Sequence, residues 1–88
     1  MISENVIIDV ARRYARRVHQ PSFEDLAVYL LVVDGHYKMA DVCRRMGLAD
    51  RSDALAAVNR VSVAYMSRGA SNVRDTVDKA RNAIRVNG

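Results

Sequence analysis

The segment Lys38–Val61 constrains the fold of this chain more than any other stretch. Apolar residues recur in its first half at spacings of three and four, which places them on one face of a helix. They are Met39, Val42, Cys43 and Met46. Gly47 follows, and glycine readily takes the left-handed conformation that ends a helix. Asp50 or Ser52 then offers a short side-chain oxygen that accepts a backbone N–H at the start of a new helix. The segment predicts a helix-turn-helix over about 38–62.

The second helix of this pair, predicted over about 51–66, sorts its residues into two faces. The inner face is apolar and comprises Ala54, Val58, Val61 and Tyr65. The outer face carries Ser52, Ala56 and Asn59, with Arg60 beside them. A helix with small, hydrogen-bonding residues in front suits the major groove of DNA, which is about 12 Å wide. An alternative stays open, because two amphipathic helices joined by a glycine turn also occur in helical proteins with other functions.

The overall composition describes a small basic domain. The chain has 88 residues, half of them apolar, which is enough for one domain with a core. Its net charge is +4 and its isoelectric point is near 9.7. The basic residues are 12 arginines and 2 lysines, and guanidinium groups form bidentate bonds to phosphate and guanine that ammonium groups do not. A genome rich in G and C produces the same bias without a functional cause.

Residue patterns for catalysis and metal binding do not occur in the sequence. Cys43 is the single cysteine, so an intrachain disulfide and a cysteine-based zinc site are excluded, and a buried structural thiol is expected. His19 and His36 have no cysteine or paired carboxylate at ligand spacing. No Ser-His-Asp or Cys-His arrangement appears. We therefore expect no enzyme activity, no cofactor, no metal and no small-molecule substrate.

The beginning of the chain does not resemble a signal peptide, because four arginines interrupt its apolar run early. They are Arg12, Arg13, Arg16 and Arg17. No stretch approaches the roughly 18 apolar residues of a membrane span, so a cytoplasmic protein without a membrane partner is expected. The same arginines have two interpretations. They form either a solvated face that complements the negative end of a helix or a patch that contacts phosphate.

Two helices are predicted before this pair. The first begins at Ser3 and ends at Pro21, because proline disfavours the helical conformation of the residue before it. The second follows the capping-box-like pair Ser22 and Asp25 and stops at Asp34–Gly35. This second helix is apolar on nearly every side, so we expect it to be the most buried helix of the domain.

One helix is predicted after the pair, starting near Asn72 and Asp75. Its apolar stripe is narrow and comprises Val73, Val77, Ala80 and Ile84. We expect the stripe to pack on the core, and a homodimer seam is the alternative. The fold class is thus all-α. Residues 1–88 are predicted to form a small single-domain bundle of about five helices that contains the helix-turn-helix.

Several stretches follow one another at spacings found in a known family. Residues 27–30 read Ala-Val-Tyr-Leu, Met39 and Val42 follow, and the stretch 47–54 precedes an apolar Val61. In these features the chain resembles the C-terminal DNA-binding domain of the bacterial replication initiator DnaA, within the Trp-repressor-like superfamily. That family has Ala-x-Tyr-Leu in its central helix and the signature Gly-Gly-Arg-Asp-His-Thr-Thr-Val. The similarity covers nearly the whole chain and implies a helical fold that binds double-stranded DNA.

The signature positions that contact bases in that family carry different residues here. The family's Asp-His-Thr-Thr corresponds to Asp50, Arg51, Ser52 and Asp53. Asp50 is kept and Ser52 keeps a hydroxyl group. Asp53 brings a negative charge that repels phosphate unless it accepts from cytosine or caps the helix. The family's basic loop before the central helix is replaced by the acidic stretch 21–25. The chain has no phosphate-binding loop, so the ATPase activity of the initiator is not expected.

The sequence favours a small DNA-binding protein that regulates transcription or replication. The residues expected to hold phosphates are Lys38, Arg44, Arg45 and Arg51. Those expected to face base edges are Ser52, Asp53, Ala56, Asn59 and Arg60, with Asp50 placed beside them by the resemblance. Because one small domain reads one half-site, useful specificity requires a homodimer or a protein partner.

The alternative function is a protein-interaction module on a DnaA-like scaffold that has lost DNA binding. The charge at the front of the second helix discriminates the two functions. DNA binding is favoured when that front is shared by the arginines Arg44, Arg45, Arg51 and Arg60. A protein partner is favoured when it is dominated by Asp41, Asp50 and Asp53.

Overall fold

The computed structural model describes residues 2–16, 18, 20–67, 69 and 71–87, and these residues form five helices. They are α1 (Glu4–Ala15), α2 (Phe23–Val33), α3 (Met39–Met46), α4 (Arg51–Met66) and α5 (Ser71–Asn87). The described residues include no strand. The predicted all-α bundle of about five helices is therefore confirmed. The expectations for Arg17 and for His19 lie outside the described residues.

Serine side chains cap the first two helices. Ser3 Oγ accepts from the Asn5 N–H at the start of α1, and Ser22 Oγ accepts from the Asp25 N–H at the start of α2, each at 3.2 Å. Each bond satisfies a backbone donor that the helix itself leaves without a partner. Both helices therefore begin where the sequence predicts.

The first helix ends earlier than the sequence predicts. We expected it to run to Pro21, but α1 ends at Ala15. The Arg16 N–H still donates to the Arg12 carbonyl, whereas the Val18 N–H donates to Ala15, three residues back, at 3.3 Å. This tighter turn takes the chain out of the α-helix before the proline. Proline restricts only the residue directly before it, so it sets a latest end for a helix and not an actual one.

Helix α2 lies at the centre of the bundle. It packs against α1, α3 and α4, while α5 packs against α1 and α4. Every residue from Leu26 to Leu31 is buried, as expected for a helix that is apolar on nearly every side. The radius of gyration is 11.9 Å, close to the roughly 12 Å of a folded chain of this length. In the part of the chain that the structure describes, no helix is both long enough and apolar enough to cross a membrane.

The apolar stripe of α5 faces the core. Its members are at most 5% exposed and comprise Val73, Val77, Ala80 and Ile84. The predicted packing is confirmed, and the alternative of a homodimer seam along this stripe is wrong, because the stripe is already covered. Two polar contacts also hold α5. Arg81 lies 3.1 Å from Asp34 at the end of α2, and the Tyr65 hydroxyl of α4 donates to Asp78 at 2.8 Å.

Candidate nucleic-acid interface

Gly47 forms the turn between α3 and α4. Its backbone lies in the left-handed region, with φ 70° and ψ 31°, where an L side chain is strained. The N–H groups of Gly47 and Leu48 both donate to the Cys43 carbonyl and close the end of α3. The Cys43 thiol donates to the Asp50 carbonyl at 3.4 Å. The predicted burial of this thiol is confirmed, and its bond joins α3 to the residue that begins α4.

Asp50, and not Ser52, caps α4. Its Oδ1 accepts from the Ser52 N–H at 2.9 Å and from the Asp53 N–H at 3.2 Å, and the Ser52 hydroxyl donates to the same oxygen. The Ser52 hydroxyl is the main cause that lowers the pKa of Asp50, and the two backbone N–H groups act in the same direction. Asp50 and Ser52, both expected near DNA, are thus exposed side chains that also hold the start of α4. Asp53 is exposed in the first turn.

The inner face of α4 packs on the bundle largely as the sequence predicts. Ala54, Ala57 and Val61 are buried, and Val58 and Tyr65 are half-buried. Ala57 was not among the predicted inner residues, although it lies three residues from Ala54 and four from Val61 and therefore on the same side. This packing holds α4 along its back and leaves its front free.

The front of α4 carries an exposed row that we call the α4 stripe. It comprises Ser52, Leu55, Asn59, Val63 and Met66. Ala56 lies at its edge and is half-buried. Leu55, Val63 and Met66 are 50%, 69% and 79% exposed, and sequence reasoning missed all three. Their exposure could have been predicted from the sequence, because they lie on the same helical face as Asn59, opposite the predicted inner residues.

Arg60 is engaged in an ion pair with α2. Its Nε and Nη2 donate to the two carboxylate oxygens of Asp25, each at 2.8 Å. The hydrogen bond to Asp25 and the charge of that carboxylate raise the pKa of Arg60. Asp25 takes two of the five guanidinium N–H donors, and those of Nη1 take no part in the pair. The pair therefore fixes the direction of the guanidinium and leaves only its Nη1–Nη2 end for a base.

The basic residues expected to hold phosphates lie around α3 and the start of α4. Lys38 and Arg51 are exposed at the position before α3 and at the first position of α4. Arg44 is 77% exposed and lies 3.3 Å from Asp41 in its own helix. Arg45 donates to Asn5 at the start of α1 at 2.8 Å. Both contacts are exposed, and the Arg44–Asp41 ion pair is of the exposed kind that contributes little stability.

The distribution of charge on α4 differs from both of the patterns that we expected. The α4 stripe carries no charged side chain, so neither arginines nor aspartates dominate the front. Arg60 is paired with Asp25, and Asp50 caps the helix. The other positive charges of the corner lie outside the stripe, with Arg44 and Arg45 beside the start of α1 and Arg51 at the first position of α4.

Part of the arginine cluster on α1 contacts its own surroundings. Arg12 lies 3.6 Å from Asp9, and its guanidinium carbon lies 5.1 Å from the ring centroid of Phe23. Such cation–π contacts hold an arginine against the fold. Arg13 and Arg16 are exposed. The solvated face remains a sufficient account of this cluster.

No protein-family model, curated protein or solved structure matches the chain. The similarity to the DnaA domain therefore remains an expectation drawn from the sequence. Within the described residues, no group of three or more His, Cys, Asp or Glu side chains is placed to hold a metal ion.

Proposed function

We propose that this protein binds double-stranded DNA through the α3–α4 corner, with the part of α4 from Arg51 to Asn59 in the major groove. The observation that supports the proposal is the way in which α4 is held. Asp50 and Cys43 fix its start, and Ala54 and Val61 bury its back. On its first turns the stripe residues Ser52 and Leu55 are exposed and uncharged, and Arg51 and Asp53 are exposed beside them. In helix-turn-helix proteins, the N-terminal residues of the second helix contact the base edges.

The exposed side chains divide into two roles. Lys38, Arg44, Arg45 and Arg51 contact phosphates beside the corner. On the stripe, the Asn59 amide pairs with adenine, which it can bind through two hydrogen bonds, and Leu55 contacts a thymine methyl group. Arg60 has a positioning role in this proposal, because Asp25 holds its guanidinium and thereby ties α4 to α2.

Binding to random duplex DNA across a salt series tests this function. Each phosphate contact contributes about −0.9 to the slope of log affinity against log salt. We expect a slope of several contacts, and we expect Arg44→Ala and Arg45→Ala each to reduce its magnitude by about 1. Arg85→Ala is the charge-matched control, since Arg85 is an exposed arginine of α5 and belongs to neither helix of the corner. Absence of binding at low salt, or equal slope losses in all three variants, would refute the proposal.

A protein-interaction module is the second candidate, and one observation favours it. Leu55, Val63 and Met66 form an exposed apolar row on α4. Contiguous exposed apolar side chains frequently mark contact surfaces for proteins. Val63 and Met66 lie in the C-terminal half of α4, beyond the turns proposed to read bases, so DNA binding alone does not account for them.

A further inference from the structure

The α4 stripe is arranged symmetrically about its central residue. Its members lie at positions 52, 55, 59, 63 and 66, which are seven and four residues before Asn59 and four and seven residues after it. Residues separated by four and seven lie on one side of an α-helix. The row therefore reads with the same spacing in both directions. A two-fold axis through Asn59 would place a second α4 antiparallel on the first, stripe against stripe.

We propose that a second copy of this chain docks on the α4 stripe, with the two α4 helices antiparallel. The two-fold axis places Leu55 opposite Val63 of the second copy, and Val63 opposite its Leu55. Both pairs are apolar, and all four side chains are at least half exposed in the single chain. A surface that matches itself in this way is the requirement for an isologous dimer.

The central polar residue of the stripe fits the same arrangement, while Ser52 at one end lies opposite Met66 of the second copy. Asn59 lies on the axis and faces Asn59 of the second copy. A side-chain amide carries both a donor and an acceptor, so two facing amides can donate to each other reciprocally. A single asparagine in an otherwise apolar helix seam fixes the register and the number of helices, because any shift leaves its amide without a partner.

The electrostatics favour a second copy over a charged partner. The stripe contains no charged side chain, so two copies meet there without repulsion between like charges. The guanidinium of Arg60, beside the stripe, is held by Asp25. The antiparallel arrangement places the positive N-terminal end of one α4 beside the negative C-terminal end of the other, which is the favourable orientation of two helix dipoles.

The size of the stripe sets the strength of the dimer. A stable interface buries about 800 Å² on each partner, and three exposed apolar side chains supply only part of that area. A groove of about 730 Å³ adjoins the stripe, and its lining combines Asn59 and Val63 of the stripe with Ala64, Asp25 and Arg60. The dimer is accordingly weak and forms as the protein concentration rises.

This dimer has a consequence for the proposed function. Asn59 and Leu55 are assigned both to the base edges and to the seam, so a dimer formed through the stripe cannot place α4 in the major groove. Self-association then limits DNA binding at high protein concentration. The competition rests on the proposed function, whereas the self-association itself does not.

Sedimentation equilibrium over a wide concentration range tests the dimer, and charge substitutions test its register. We expect the average mass to rise from that of one chain toward that of two. Leu55→Lys and Val63→Asp should each weaken the dimer by at least about tenfold, because each places an unpaired charge against an apolar side chain. Val86→Asp is the matched control, since Val86 is a 78% exposed valine of α5 outside the stripe. It should associate like the original chain.

A mixture of the two variants gives the sharper test. In a heterodimer of Leu55→Lys with Val63→Asp, the new lysine faces the new aspartate, and the unchanged valine faces the unchanged leucine. We expect the mixture to dimerise at a concentration at which neither variant alone does so. Circular dichroism of each variant verifies that it is folded. If one of them is not folded, Met66→Asp takes its place in the test for weakened association.

Three outcomes overturn the proposed dimer. The first is an average mass of one chain at every concentration. The second is a dimer that Val86→Asp weakens as much as Val63→Asp does. The third is a mixture of Leu55→Lys with Val63→Asp that stays monomeric. The first outcome assigns the stripe to DNA or to a different protein. Titration of the dilute, monomeric samples with duplex DNA separates the two proposals, because absence of DNA binding by the monomer refutes only the proposed function.

Discussion

The guanidinium of Arg60 donates through Nε and Nη2 to both carboxylate oxygens of Asp25, each at 2.8 Å. This pair joins the middle of α4 to the first turn of α2 across 35 residues of sequence. Asp25 is only 19% exposed, so its carboxylate depends on Arg60 for compensation. Two parallel hydrogen bonds also fix the relative orientation of the two groups. The pair therefore orients the helix on which both proposals depend.

Removal of Arg60 should destabilise the fold more than removal of an ordinary surface cation. We expect Arg60→Ala to lower the Tm, because it leaves the partly buried Asp25 carboxylate unpaired. Lys79→Ala is the control, since Lys79 lies 3.0 Å from Asp75 and both side chains are more than 60% exposed. Its effect on the Tm should be close to zero. Thermal unfolding of both variants measures the difference, and equal shifts would show that the Asp25 pair is an ordinary surface contact.

The Asp25 pair should also show coupling. Asp25→Asn removes the charge that Arg60 compensates, so the double variant Asp25→Asn with Arg60→Ala should lose less stability than the sum of the two single losses. Additive losses would mean that the two side chains act independently. The same variants should weaken binding to matched and scrambled DNA alike, since the proposed role of Arg60 is to position α4.

Asp50 should make stability depend on pH at the acid end. Its pKa in the folded protein is lowered from an ordinary value of 3.8, first by the Ser52 hydroxyl and then by backbone N–H groups. A lowered folded pKa means that the ionised cap stabilises the fold fully above about pH 3.8, and that this contribution is lost as the pH falls through the folded pKa. Asp50→Ala should therefore lower the Tm at pH 7, and lower it by less at pH 2, where part of the ionised cap is lost in the original chain. Asp50→Asn keeps an accepting oxygen, so its Tm at neutral pH should lie between those of Asp50→Ala and the original chain. A Tm difference between Asp50→Ala and the original chain that is the same at both pH values would contradict the assignment.

Gly35 should not tolerate a side chain, for a reason of space. A Cβ at this position would lie 2.7 Å from the Tyr37 ring, 2.8 Å from Ile7 Cδ1 and 2.9 Å from the Leu31 carbonyl oxygen. The carbonyl belongs to the backbone and cannot move aside. We expect Gly35→Ala to cost about 1–3 kcal/mol, the usual range for overpacking. Gly69→Ala is the control, because nothing lies within 4 Å of its added Cβ. Urea denaturation measures both, and a Gly35→Ala variant as stable as Gly69→Ala would contradict the packing described around α2.

Local patterns predicted more of this fold than of its candidate site. The bounds of α4, the left-handed Gly47 and the burial of Cys43 follow from interactions between residues close in sequence, so they could be read from spacing and residue type. The choice between Asp50 and Ser52 as the cap could not, because both side chains suit that role. The engagement of Arg60 also could not be predicted. Its partner lies 35 positions away, and only the packing of α4 on α2 brings the two together.

Asn59 takes part in both proposals. Its substitution should weaken DNA binding in one and strengthen self-association in the other. On DNA, Asn59→Ala should cost about 1–3 kcal/mol on a matched site, the discrimination of one bidentate base contact, and much less on scrambled DNA. In the dimer, Asn59→Leu should strengthen association by replacing a polar pair with an apolar one, at the cost of a defined register.

Fluorescence anisotropy with matched and scrambled duplexes measures the effect of Asn59→Ala on DNA binding, and sedimentation equilibrium measures the effect of Asn59→Leu on association. Asn82→Ala is the control for both, because Asn82 is an exposed asparagine of α5. If Asn59→Ala weakens both duplexes equally, Asn59 does not read a base. If Asn59→Leu leaves association unchanged, Asn59 does not lie in the seam.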